Sequence, residues 1–115
     1  MLLNTYTLEI KKSKFIGLFY DIKSEDEVKT ILENLKKEHP KARHMPYAYI
    51  VSGTARKSDD KEPHNSSGMQ IYNQLVMHNK DHHLMVIVRY FGGTKLGASN
   101  LLRAYLNTAK NSIID

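Results

Sequence analysis

The 115 residues predict a single mixed α/β domain, a four-stranded sheet with three helices in the order ββαβαβα. Three observations carry this expectation. Leu84-Met85-Val86-Ile87-Val88 is a continuous apolar run of strand length, the pattern of a central strand covered by helices. Val28, Ile31, Leu32 and Leu35 recur at i, i+3, i+4, i+7, and Ala98, Leu101, Leu102, Tyr105 and Ala109 repeat at the same helical period. With 41% hydrophobic and 25% charged residues, the chain can bury one core and has little length for a second.

Taken in order, residues 5–22 read as two short strands around Lys11-Lys12-Ser13, because Phe15-Ile16-Gly17-Leu18-Phe19-Tyr20 is rich in residues that favour strands. Ser24 stands three residues before Glu27 as a capping box and opens the first helix. Pro40 closes it, since proline lacks the helical N–H and excludes helical angles at His39. Tyr47-Ala48-Tyr49-Ile50-Val51 is the third strand. From Gly53 to Gly68 the composition turns to Lys, Asp, Ser, Asn and Pro, which predicts one long loop, mobile or functional. Met69 to His78 follows as a second helix, opened by Ser66 or Ser67. The apolar fourth strand runs from Leu84 to Tyr90, and a glycine turn leads into a third helix ending near Ile113.

Charge and composition narrow the function classes. The formal net charge is +5 and is unevenly placed: residues 24–38 hold five acids against three bases, and the remainder holds fourteen bases against seven acids. Such an excess favours a polyanionic or acidic partner. The absence of cysteine excludes a disulfide framework, a thiolate nucleophile and Cys-ligated zinc, and it points to a reducing cytoplasm. The longest unbroken apolar run is far short of the ~20 residues a membrane span needs, and Met1-Leu2-Leu3-Asn4 lacks a basic n-region, so neither a membrane association nor a signal peptide is expected. No His-Glu-x-x-His and no Gly-x-Ser-x-Gly occurs, so no metal, cofactor or hydrolase site is expected.

Two segments are candidates for chemistry. Arg89-Tyr90-Phe91-Gly92-Gly93-Thr94-Lys95-Leu96-Gly97 runs from strand through glycine turn to helix. Gly92, Gly93 and Gly97 either make a tight turn only or aim backbone N–H groups at an anion, with Arg89, Lys95 and Arg103 close in sequence. Arg43-His44 precedes the third strand and joins this set if the sheet brings the ends together. The second segment, Ser58 to Gly68, places Asp59, Asp60 and Glu62 within four positions, followed by Pro63 and Ser67. It lacks the ligand alternation of a calcium loop, and Asp59 or Asp60 can instead fix the loop through backbone N–H groups.

These residues resemble the IMPACT/YigZ family. Its signature reads Arg, two aromatics, Gly-Gly, two variable positions, an aliphatic and Gly, as in Arg89 to Gly97. Lys14-Phe15-Ile16, Ala42-Arg43-His44 and Asp59-Asp60-Lys61-Glu62-Pro63 with Ser67-Gly68 agree in order. The resemblance implies a two-layer domain like the second domain of a small-subunit ribosomal protein, with a left-handed βαβ crossover. It also implies a noncatalytic regulator of translation or stress response that binds RNA or a ribosome-associated protein. An enzyme acting on a small phosphorylated or anionic substrate is the alternative. The family usually has Gly where Lys61 stands, and its bacterial members usually carry a second, ferredoxin-like domain after this one; here residues 1–115 read as the IMPACT-type domain alone.

Overall fold

Lys11 and Lys12 both take left-handed backbone angles (φ 48° and 67°), the geometry of a two-residue hairpin turn whose twist matches the strands it joins. The turn closes β1 (Leu2–Ile10) on β2 (Ser13–Asp21), so each opening strand is nine residues long and the hairpin is longer than its composition indicates. The computed structural model describes all 115 residues and continues with α1 (Glu25–Glu38), β3 (Tyr47–Val51), β4 (Thr54–Ser58), α2 (Gly68–Met77), β5 (His83–Tyr90) and α3 (Ala98–Ser112). The strands form one sheet in the order β1-β2-β5-β3-β4, with every ladder antiparallel.

The sheet has five strands where four are expected, and the order is ββαββαβα. The extra strand is β4, which occupies the first part of the expected 53–68 loop. Ser52 and Gly53 (φ 49° and 81°) make a second two-residue turn that folds Thr54–Ser58 back onto β3. Thr-Ala-Arg-Lys-Ser shows no apolar alternation because β4 lies at the sheet edge with mostly exposed side chains. The true loop is residues 59–67.

Alternation along the strands separates two cores. Phe15, Phe19, Met85 and Ile87 point to one face, where Ile71 and Leu75 of α2 and Leu101, Tyr105 and Ala109 of α3 cover them. Leu18, Tyr20, Tyr49, Leu84, Val86 and Val88 point to the other, beneath Val28 and Leu35 of α1. α2 and α3 cover one face of the sheet and α1 the other, so helices lie on both faces where two layers are expected. Leu84 to Val88 are all 0% exposed, which identifies β5 as the central strand. The Ser24 hydroxyl accepts from the Glu27 N–H at 3.3 Å, and α1 ends at Glu38 ahead of Pro40, both as expected. No helix is long and apolar enough to cross a membrane.

Candidate anion cleft at the end of β5

The last residue pairs of the sheet assemble the site. Beyond the β3 ladder, Arg43 and His44 run beside the end of β5. The Arg43 N–H donates to the Arg89 carbonyl at 2.8 Å, and the Arg89 N–H to the His44 carbonyl at 2.9 Å. Sheet geometry therefore brings Arg43-His44 to the glycine turn, although 45 positions separate His44 from Arg89 in sequence. The Arg43 guanidinium lies over the Phe91 ring, 4.6 Å from its centroid.

The acidic loop folds onto the same place and divides its carboxylates between two tasks. Asp59 caps α2 from outside the helix: Oδ1 accepts the Gly68 N–H at 2.8 Å, the Ser67 hydroxyl at 2.9 Å and the Ser67 N–H at 3.3 Å, while Oδ2 accepts the Asn65 N–H at 3.0 Å. Ser67 is the N-cap residue by position, yet its hydroxyl bonds Asp59 rather than the helix. Asp60 accepts the Met45 N–H at 2.7 Å, and its carbonyl receives His44 Nδ1 at 2.7 Å, so Nδ1 carries the proton. Asp60 and Lys61 both have positive φ (45° and 70°), an angle that glycine adopts without strain.

Glu62 alone turns inward. Its carboxylate, 3% exposed, accepts Arg89 Nη1 at 2.6 Å and the Tyr105 hydroxyl at 2.5 Å on Oε2, and Oε1 stands 3.5 Å from His44 Nε2. Burial pushes the Tyr105 hydroxyl pKa far up, and the Glu62 charge pushes it further, so this phenol remains a proton donor. The network ties loop, central strand and α3 at one point.

Above it opens a cleft of about 470 Å³ lined by Arg43, His44, Glu62, Pro63, Arg89, Phe91, Lys95, Leu96, Gly97, Ala98 and Leu101. Lys95 and Arg43 are exposed at its rim. Gly97 (φ 81°) is the N-cap of α3, which has no side-chain cap and no acid in its first turn. The first helical bond runs from the Leu101 N–H to the Gly97 carbonyl, so Ala98, Ser99 and Asn100 keep their N–H groups without a protein acceptor. An end of this kind carries partial positive charge and accepts anions.

The structure thus brings Arg43, His44, Glu62, Pro63, Arg89, Lys95 and Gly97 together and leaves other expected residues apart. Arg103 is exposed in a separate groove with Leu8, Glu9 and Ile10, because it sits half a helical turn from inward-facing Leu101 and Tyr105. Gly92 serves packing: a Cβ there would lie 2.2 Å from the Lys12 carbonyl carbon, and its N–H donates to the Ser13 hydroxyl at 3.1 Å. Gly93 (φ 95°) supplies the turn and has open space around it. Asp59, Asp60 and Ser67 hold the loop and do not face the cleft. Tyr105 and Phe91 were not among the expected site residues; the helical repeat marks Tyr105 only as core, and nothing in sequence links it to Glu62. No three His, Asp or Glu side chains gather as a metal site.

Asp59 makes the loop sensitive to acid. Burial raises its pKa, but the Gly68 N–H, the Ser67 hydroxyl and the Asn65 and Ser67 N–H groups outweigh burial and hold it below the ordinary 3.8. A carboxyl depressed in the folded state stabilises above its unfolded pKa, and that contribution is lost as pH falls through the folded value. Stability is therefore expected to decline below about pH 4. In urea titrations from pH 7 to 2, Asp59→Asn should lower stability at neutral pH and flatten the acid decline; an unchanged decline would assign it to other carboxylates.

A five-stranded antiparallel sheet with three helices and a basic cleft where the glycine turn meets an acidic loop defines the class of domain. The chain belongs to the IMPACT family: residues 11–113 match the Impact N-terminal domain. It is 33% identical over 103 residues to the IMPACT family member YvyE of Bacillus subtilis (strain 168), covering 87% of this chain and 48% of that protein. It is 34% identical over 106 residues to YigZ of Escherichia coli (strain K12), covering 88% and 52%. The chain thus spans about half the length of these relatives. A crystal structure of a hypothetical protein superposes with TM-score 0.90 at 32% identity, over 95% of this chain and 55% of that one. The two-domain translational regulator Yih1 shares the fold at TM-score 0.57 and 20% identity, over 96% and 45%.

Proposed function

We propose that the domain is a noncatalytic module of translation regulation that binds RNA, or a ribosome-associated protein partner, through the cleft. One observation carries the reading: Arg43, Arg89 and Lys95 converge with the uncapped start of α3 in a single concavity. Fold likeness to Yih1, described as a translational regulator, supports the setting, and the net charge of +5 supports an anionic partner.

Binding to single-stranded RNA is expected to depend strongly on salt. Three phosphate contacts give a slope near −2 in log affinity against log salt, so a fourfold rise in salt lowers affinity by about tenfold or more. The pair Arg43→Glu and Lys95→Glu should abolish binding in an anisotropy titration, and Arg103→Glu, outside the cleft, should weaken it little. Absence of both RNA binding and ribosome binding at low salt, or equal losses from Arg103→Glu, would overturn this reading.

The second reading, an enzyme acting on a small phosphorylated or anionic substrate, draws on one observation: the acidic loop and the glycine turn do meet, with Glu62 and Pro63 lining the same cleft as Lys95 and Gly97. Against it, Asp59 and Asp60 are consumed by backbone N–H groups, and Glu62 already accepts from two donors. Proton transfer needs a carboxylate free to reach the substrate.

A further inference from the structure

We infer that the cleft is a pocket for a phosphate monoester, filled by the 5′-phosphate of an RNA chain or of a mononucleotide. The inference rests on the RNA reading above and narrows it from the length of the chain to its end.

The start of α3 supplies the first half of the pocket. It is a helix of 15 residues whose N–H groups at Ala98, Ser99 and Asn100 lack protein acceptors, and Gly97 and Ala98 line the cleft. A helix start alone does not select a ligand, and Arg89 supplies the independent observation. Its side chain is 9% exposed, and it spends Nη1 on Glu62. Its Nε is buried without any hydrogen-bond partner, and no protein acceptor is recorded for Nη2. The Nε–Nη2 edge is a planar fork that matches two oxygens of a phosphate or carboxylate. Leaving a buried guanidinium N–H unpaired is costly; Nε is sealed from solvent while Arg89 lines the cleft, so an oxyanion seated there satisfies this edge by drawing it toward the ligand.

Charge selects the monoester. Arg43, Arg89 and Lys95 stand against Glu62, an excess of two positive charges among the ionised lining residues. A terminal phosphate carries about −1.5 to −2 at pH 7 and offers three acceptor oxygens, whereas a phosphodiester within a chain carries one charge and two. Shape agrees with a chain end: about 470 Å³ is within the range of small-ligand pockets. At the mouth, Phe91 is 37% exposed beneath the Arg43 guanidinium, a planar platform on which a base can stack. That platform favours a nucleotide over a phosphorylated peptide.

The test compares one short RNA carrying either a 5′-phosphate or a 5′-hydroxyl, with adenosine monophosphate, inorganic phosphate and a phosphoserine peptide as separate ligands. The 5′-phosphate form is expected to bind about tenfold tighter or more, the difference that one or two charge-assisted hydrogen bonds make. Lys95→Glu, at an exposed position, should erase that preference, and Arg89→Lys, which keeps the charge but not the fork, should reduce it. Equal binding of the two RNAs would overturn the inference and leave RNA binding standing. Binding of adenosine monophosphate with no RNA binding would sustain the pocket and overturn the RNA reading. A phosphoserine peptide that binds as tightly as the 5′-phosphorylated RNA would overturn the choice of nucleotide, and no binding of any ligand would overturn both.

Discussion

Glu62→Ala is expected to cost the domain about 3–5 kcal/mol of folding stability, the loss typical of breaking a buried ion pair by removing one partner. The reason is what the substitution leaves behind. Arg89 is 91% buried by side-chain area, with Nε already unpartnered, and alanine would strip Nη1 of its carboxylate as well. The Tyr105 hydroxyl, on a fully buried side chain, would lose its acceptor in the same step. Urea denaturation followed by circular dichroism measures the effect as a lower midpoint. The double substitution Glu62→Leu with Arg89→Met should recover much of the loss, because a well-packed apolar pair avoids the desolvation of both charges. A single-substitution loss under about 1 kcal/mol, the range of a solvated surface pair, would show that Glu62 is not held as described.

Gly92→Ala is the second large effect, expected at about 2–3 kcal/mol by overpacking. The added methyl would meet three backbone atoms, the Lys12 carbonyl carbon at 2.2 Å, the Ser13 nitrogen at 2.4 Å and the Lys12 oxygen at 2.5 Å. Backbone cannot rotate away as a side chain does, so the β1–β2 turn must separate from the end of β5. Gly93→Ala tests the distinction: space is open there, and the cost comes only from φ 95°, about 1 kcal/mol. Equal losses at both positions would show that the close approach at 92 costs no more than the left-handed angle at 93, and would overturn the packing role assigned to Gly92. Either result bears on function, since Gly92 is assigned to packing and Gly97 to the cleft.

What the sequence revealed follows from the range of each signal. The capping box of Ser24 and Glu27 and the run from Leu84 to Val88 are local patterns, and both elements stand where those patterns put them. β4 is not legible in sequence because an exposed edge strand carries no alternation, and its only mark is the Ser52-Gly53 turn. Arg103 is near the glycine turn along the chain but out of helical phase with it; two positions from Leu101, it faces away. The Glu62 network was not legible at all. It joins residues 27 and 43 positions apart, and only the packing of α3 over the sheet brings them into contact. The basic excess, visible in composition, acquired a place only through the bridge between His44 and Arg89.

The central claim is that the cleft at the end of β5 is where this domain takes an anionic ligand. Amide chemical-shift mapping during titration with a 5′-phosphorylated RNA tests it most directly, since the N–H groups concerned are themselves the observed nuclei. The largest shifts are expected at Lys95, Ala98, Ser99 and Asn100, with the Arg89 Nε–H signal moving alongside them. Shifts centred instead on Arg56 and Lys57 of the β4 edge, or on Arg103, with the α3 amides unmoved, would contradict the account.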